Sequence, residues 1–359
     1  MAQVFHSNCC WCVEMIDSCQ IEEGIRSHSK KVEKAMNFTC APILLIGFNR
    51  PDFLKAQIYA IRGASPSKIY LAVDGPRRNV AGEQDLCKRV QDCVKEIDWT
   101  CQIHTRFRAE NLGCKYGVSD AITWFFENEE SGIVLEDDCR PTLDFLRFAS
   151  EMLERYRDDE RVGLVAGFNH FNLQSDISTS YHFSAHFDIW GWASWRRVWR
   201  EYDVEMVKFS NKLDDIIDCA KITPYYRKVY KKFARAVVGG LSTWDIQFSF
   251  LALSKGWLSI VPKMRLVSNA GLKDVRATHT GGYVYWGKDW SRTGTIGFPL
   301  VHPTHIHVDE HADYLRERME GALLPRGLTW VGAKIPAIAS LMTLIGQGIE
   351  RVMPFLMRL

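Results

Sequence analysis

The sequence predicts an α/β protein: a mostly parallel central sheet flanked by helices. Three observations predict it. From Pro42 onward, short apolar runs alternate with segments whose apolar residues recur at helical spacing, and such alternation implies parallel strands joined by right-handed crossovers. The run Ile133-Val134-Leu135 is wholly apolar, as suits a strand covered on both faces. Several runs end in polar residues, which a parallel sheet gathers along one edge, where open α/β sheets bind ligands.

The elements follow in order. Ile43 to Phe48 reads as a strand, broken by Asn49-Arg50-Pro51-Asp52, and Leu54, Ile58 and Ile61 then mark a helix. Lys68 to Val73 is the next strand, closed by Asp74-Gly75-Pro76, and Leu86, Val90 and Val94 mark the second helix. Thr100 to Phe107 has strand character and runs toward Glu110-Asn111-Leu112-Gly113; Val118, Ile122, Phe125 and Phe126 mark a third helix. The strand of Gly132 to Leu135 leads into Glu136-Asp137-Asp138. Leu143, Leu146 and Leu153 lie on a fourth helix, and Val162 to Gly167 makes a fifth strand.

The second half is richer in aromatics. Trp190, Trp192, Trp195 and Trp199 fall within ten positions. Trp195 and Trp199 are four apart, so one helical face buries both. Trp190 and Trp192 flank Gly191, which permits a tight turn or close backbone approach; their rings suit either packing or stacking on a sugar or nucleoside. Thr243-Trp244-Asp245 sets a lone carboxylate among aromatics, suited to helix capping or to chemistry. Ile260 to Asn269 resembles a late strand. His302, His305, His307 and His311 have spacings that fit no single metal-binding turn, and are expected in loops or at the surface.

Composition narrows the function classes. The chain has 359 residues, 47% hydrophobic and 25% charged, with a net charge of +2. That is ordinary for a soluble globular protein, and so small a net charge does not favour nucleic acid as a partner. Eleven cysteines are scattered without a small-scaffold spacing. With neither a leader nor an apolar run of about 18 residues in view, a reducing, cytoplasmic location is expected. Residues 1–38 read as an N-terminal extension. Cys9, Cys10, Cys12 and Cys19 there lack the second pair of a structural zinc site.

Glu136, Asp137 and Asp138 form the most informative feature. Adjacent carboxylates repel, and burial desolvates them. At the end of a buried strand, a divalent cation such as Mg²⁺ or Mn²⁺ resolves that conflict, since hard ions take one or two carboxylates together with substrate phosphates. A solvated acidic turn is the plainer reading.

Taken in order, Phe48-Asn49-Arg50-Pro51, Val73-Asp74-Gly75, Leu135-Glu136-Asp137-Asp138, Trp190-Gly191-Trp192, Thr243-Trp244-Asp245 and Val261-Pro262-Lys263 resemble the motifs of GT-A glycosyltransferases. The chain is similar to inverting N-acetylglucosaminyltransferase I and to bacterial family 2 type enzymes, from about Pro42 to Thr280. The resemblance implies a GT-A domain over 39–325 and transfer of a sugar from a nucleotide-diphosphate sugar, expected to be a UDP-sugar. The acceptor would be a hydroxyl of a glycan, lipid-linked or protein partner. It places Arg50, Asp74 and Lys115 on the nucleotide, with Asp74 at the uracil, Asp137 at the ribose and Glu136 at the donor sugar. Trp190 and Trp192 join the donor-binding set. Asp138 would hold the Mn²⁺ or Mg²⁺, with His279 touching metal or diphosphate, and Asp245 would be the catalytic base. The first acid is Glu where the family has Asp, and no acceptor motif is matched.

Two other readings compete. A sugar-nucleotide nucleotidyltransferase uses a similar sheet, but it usually carries a glycine-rich phosphate loop where this chain has Phe48 to Asp52. A non-catalytic sugar-nucleotide-binding protein would have no need of both Asp138 and Asp245. Finally, Ile338, Leu341, Met342, Ile345, Ile349, Val352, Met353 and Leu356 form one helical stripe in the tail 326–359. This amphipathic, mildly basic segment suits either peripheral contact with the inner face of a membrane or docking on protein.

Overall fold

In the computed structural model the described residues are 38–170, 178–209, 211–271, 274, 276 and 290–322, with side chains described only as far as 317 in the last run. The elements below fall within one compact unit, Cys40–Leu359. The expectations for the cysteines of the N-terminal extension, for the amphipathic tail and for His279 lie outside the described residues.

The first half alternates as the periodicity predicts. Strand β1 (Ile43–Gly47) leads to helix α1 (Pro51–Ile61), β2 (Lys68–Val73) to α2 (Glu83–Asp92), and β3 (Gln102–Phe107) to α3 (Ser119–Asn128); β4 (Ser131–Glu136) follows. These four strands are all parallel and lie in the order β3-β2-β1-β4. Ile43, Leu44, Leu45, Ile133, Val134 and Leu135 have no exposed surface. Burial of such a side chain stabilises by about 1.5–3 kcal/mol, so the centre of the sheet is where the apolar runs belong. Helix α1 starts with Pro51, whose fixed φ suits a first turn, and buries Leu54, Ile58 and Ile61 on the sheet.

Beyond β4 the chain turns through β5 (Cys139–Pro141) into α4 (Leu143–Arg155). Thr142 caps α4: its Oγ1 accepts the Phe145 N–H at 3.2 Å. The helix then buries Phe145, Leu146, Phe148, Ala149, Met152 and Leu153. Strands β6 (Val162–Ala166), β7 (Tyr181–Ser184) and β8 (Trp192–Trp195) follow, then helices α5 (Arg196–Trp199), α6 (Leu213–Cys219), α7 (Pro224–Val238) and α8 (Asp245–Lys255). Strands β9 (Leu258–Pro262) and β10 (Val267–Asn269) and helix α9 (Glu310–Ala322) complete the fold. The eight-stranded sheet runs β3-β2-β1-β4-β8-β6-β9-β7. Only β8 and β7 oppose the rest, so the sheet is mostly parallel, as expected.

Two expectations for the second half are corrected. Trp195 closes a strand instead of sharing a helix with Trp199, which sits on the single turn of α5. Both are buried, at 2% and 4% exposed; the four-residue spacing arose from a strand–helix junction. The late strand splits in two. Its second half, β10, leaves the main sheet and pairs antiparallel with β5, with Ser268 opposite Arg140. This ribbon fixes the turn that carries the acidic motif, and the Ala270 N–H donates to the Asp138 carbonyl at 2.9 Å. Among the described residues no helix is long and apolar enough to cross a membrane.

Candidate active site

Parallel register brings the ends of β1, β2, β3 and β4 to one edge: Gly47 lies opposite Val73, Ile46 opposite Glu136, and Val73 opposite Phe107. Residues far apart in sequence therefore meet there. A cavity of about 570 Å³ opens at this edge, a size that holds a small organic ligand. Arg50, Asp74, Glu136, Asp137 and Asp138 line it, as do Trp190 and Asp245.

The acidic motif is electrostatically costly. Burial, together with Asp138, Asp245 and Asp137, pushes Glu136 well above the usual carboxylate range. Burial also raises Asp137, Arg50 pulls it back, and the balance leaves it at about 6. Asp245 thus sits close enough to Glu136 for their charges to repel, although 109 positions separate them in the sequence (245 − 136). The half-buried Cys114 thiol is raised by desolvation and then by Glu136, Asp245 and Asp138, which line the same cavity wall.

Arg50 answers part of that conflict. Its Nε donates to Asp137 at 3.1 Å, and its Nη2 donates to the other Asp137 oxygen and, at 3.2 Å, to Asp138. Burial works against the Arg50 charge, but the two aspartates outweigh it and hold the guanidinium protonated. Asp137, expected at the ribose, thus has both oxygens engaged by Arg50, and Arg50, expected on the nucleotide, is engaged with the acids.

Asp74 binds its own loop. Its carboxylate accepts the backbone N–H groups of Gly75 at 2.9 Å, Leu112 at 3.0 Å and Gly113 at 3.1 Å, and the Asn111 side-chain amide at 2.9 Å. Burial raises its pKa and those N–H donors pull it back, leaving it above the ordinary value. Gly75 is required here, since a Cβ would stand 2.5 Å from Glu110 backbone atoms.

Lys115 and Trp192 are placed elsewhere than expected. Lys115 pairs with Glu205 at 2.7 Å and is absent from the cavity wall. Trp192 has no exposed surface and packs with Trp199, Trp244 and Phe248, so it is core. Trp190 does reach the cavity and meets Phe168 edge-on, with ring centroids 4.7 Å apart.

Asp245 opens α8, next to the cavity-lining Ser242, Thr243 and Trp244. The Thr243 hydroxyl donates to Asp245 Oδ1, and Oδ2 has no protein hydrogen bond among the described residues. Two contacts fasten this turn: the Tyr202 hydroxyl donates to the Trp244 carbonyl at 2.9 Å, and Gln247 Nε2 to the Thr243 carbonyl at 2.6 Å.

Sequence reasoning missed the other cavity arginines, Arg77, Arg106, Arg108 and Arg276. Arg106 and Arg108 both meet Asp120, and Arg77 meets buried Glu83 at 2.6 Å. The signal for the first pair was partial: Arg108 lies two positions beyond Arg106, just past the end of β3, and residues two apart in extended chain share a face.

Among the described residues, no three His, Cys, Asp or Glu side chains form a group that could hold a metal ion unaided. A hard cation shared with a diphosphate needs only one or two protein carboxylates. Asp138, which Arg50 meets through one oxygen at 3.2 Å, and Glu136, which three other carboxylates crowd, supply that number of oxygen donors.

Neither a protein-family model nor a curated protein matches this chain. Among solved structures it is similar to the mannosyltransferase PcManGT from Pyrobaculum calidifontis in complex with GDP-Man and Mn²⁺, at 11% identity over 67% of this chain and 78% of that one, TM-score 0.35. It is similar also to GalNAc-T7 with UDP, GalNAc and Mn²⁺, at 10% identity over 63% of this chain and 43% of that one, TM-score 0.40. A third is apo-UDP-glucose pyrophosphorylase, at 8% identity over 62% of this chain and 90% of that one, TM-score 0.30. Likeness this distant carries no weight on chemistry, which rests on the residues of the cavity.

Proposed function

We propose that the chain is a metal-dependent, inverting glycosyltransferase of the GT-A type. It would move a sugar from a nucleoside-diphosphate sugar, expected to be a UDP-sugar, to a hydroxyl of a glycan, lipid-linked or protein acceptor. One observation supports this above the rest: the acids at the end of β4 and Asp245 at the start of α8 face the same arginine-lined cavity.

Each residue then has a task. Asp74 and the loop it holds form the nucleotide end. Arg50 holds the carboxylates of Asp137 and Asp138 in place. A Mn²⁺ or Mg²⁺ held by Asp138, with Glu136 beside it and His279 as a further expected ligand, would neutralise charge on the leaving diphosphate. Trp190 offers an aromatic face to the donor. Asp245 Oδ2 accepts the proton of the attacking hydroxyl as general base while Thr243 holds Oδ1. Attack from the side opposite the leaving group inverts the anomeric carbon.

The test is a panel of nucleotide sugars scored by thermal stabilisation with and without Mn²⁺, followed by donor hydrolysis. Selective, metal-dependent stabilisation is expected from mass action, together with slow hydrolysis of the same donor. Stabilisation without turnover would favour a binding protein. Formation of a nucleoside triphosphate from the sugar nucleotide and pyrophosphate would favour a nucleotidyltransferase.

A further inference from the structure

We propose that the outer face of α7, with the loop that follows it, is a docking surface for an anionic lipid bilayer. Over 207–241 the chain carries eight Lys and Arg against three Asp, a net +5 (8 − 3), whereas the whole chain carries +2. The remainder is therefore net negative, and the positive charge is concentrated in this hairpin. Within α7 itself Arg227, Lys228, Lys231, Lys232 and Arg235 meet no acid in the helix sequence.

The helix has two separate faces. Tyr226, Ala234 and Val237 turn inward and pack with Ile217 of α6 and Phe250 of α8. Tyr225, Lys228, Lys232, Arg235 and Val238 recur at steps of three and four, lie on one face, and are all exposed. The acids of α6 answer part of the charge: Asp218 pairs with Lys231 at 2.6 Å and Asp214 with Arg235 at 2.7 Å. Lys228 and Lys232, in the middle of the outer stripe, have no ion pair among the described residues.

The apolar members of the stripe choose the partner. Tyr225 is 47% exposed, Val238 57% and, just beyond, Leu241 40%. A bilayer surface takes lysines at its phosphates and aromatic and aliphatic side chains at the acyl boundary. A nucleic acid backbone would take the lysines and leave the aliphatic ends in water. At 15 residues the helix is about 22 Å long, enough to lie flat with Tyr225 at one end and Val238 at the other. The chain then passes through Gly239, Gly240 and Leu241 to the cavity-lining Ser242 and Thr243. Under the function proposed above, which this consequence rests on, a membrane-bound acceptor would be presented on the Asp245 side of the cavity; the bilayer contact itself does not depend on that reading.

Flotation of the full chain with phosphatidylcholine vesicles, with and without phosphatidylserine, tests this. Binding is expected only with phosphatidylserine. K228Q/K232Q should lose about thirtyfold of the affinity, and K228E/K232E more than that, given an attraction of about 1 kcal/mol for each near-surface lysine. V238S should lose affinity without changing its salt dependence. An unchanged melting temperature identifies folded variants, and the milder pair serves if charge reversal does not fold. The proposal is overturned if the parent shows no preference for anionic vesicles, if both lysine pairs bind like the parent, or if the parent holds duplex DNA as tightly as vesicles. Loss of nucleotide-sugar stabilisation alongside intact vesicle binding would instead count against the catalytic reading alone.

Discussion

Arg50, three residues past the end of β1, engages both carboxylate oxygens of Asp137, which stands 87 positions later and just past β4. The pair is nearly buried, with side chains 13% and 7% exposed. The cation that the acidic motif calls for is thus supplied in part by the protein itself.

Removing one partner of a buried pair leaves the other desolvated and uncompensated. Arg50→Ala should therefore cost about 3 kcal/mol of stability, read by urea denaturation. Adding Asp137→Asn should recover part of the loss, since it removes the stranded charge. Equal losses in the single and double variants would show that Arg50 acts through packing, for example on Phe53, whose ring lies 4.7 Å from its guanidinium.

Asp138→Ala should abolish metal-dependent binding of UDP. The basis is its place at the cavity wall beside Glu136, which is pushed up by its neighbours. Calorimetric titration of UDP with and without Mn²⁺ decides: unchanged, metal-enhanced affinity in the variant removes Asp138 from the metal.

Asp245→Asn should bind donor normally and lose roughly 10²–10⁴-fold in turnover, the usual contribution of a general base. Asn keeps an oxygen for the Thr243 hydroxyl, which now bonds Asp245, but cannot take a proton. Near-normal turnover would place the base elsewhere. Failure to bind donor would make Asp245 structural.

A pH dependence follows from α9. Asp313 accepts the Ser184 hydroxyl at 2.5 Å and the Ala185 N–H at 2.8 Å, yet burial raises its carboxyl from 3.8 to about 6. A folded pKa above the unfolded one means that the folded state binds more protons over that window. The contribution is full below the ordinary value and lost as pH rises through about 6. Asp313→Asn should remove this component, so the difference in urea midpoint between variant and parent should shift toward the variant from pH about 4 to about 6. Parallel curves would mean that Asp313 titrates at an ordinary value when folded.

Much of the first half was legible in the sequence. Lys68 to Val73 is a strand with those bounds, and the strands of Ile43, Thr100 and Val162 differ by a residue or two at their ends. Periodicity suffices there because each strand is a local apolar run and each helix has one apolar face. The second half was less legible. Helices α6 and α7 and strand β7 went unassigned, and the β8 run of Trp-Ala-Ser-Trp has neither alternation nor helical period, because both of its faces are buried. Of the candidate site, Arg50, Asp74, Glu136, Asp137, Asp138, Trp190 and Asp245 do share the cavity wall. Lys115 and Trp192 do not, because a lysine is placed by whichever acid it meets and a tryptophan by whichever face of its strand is covered.

The sequence by itself determined the alternation of strands and helices, the parallel character of the sheet and the position of the acids at a strand end, since all three are encoded in local patterns of apolar and polar residues. Only the tertiary structure decided which charges meet. Arg50 with Asp137, Lys115 with Glu205 and Asp245 beside Glu136 are long-range pairings. Coulomb attraction and desolvation depend on distance and burial in space, and neither is written in the separation of residues along the chain.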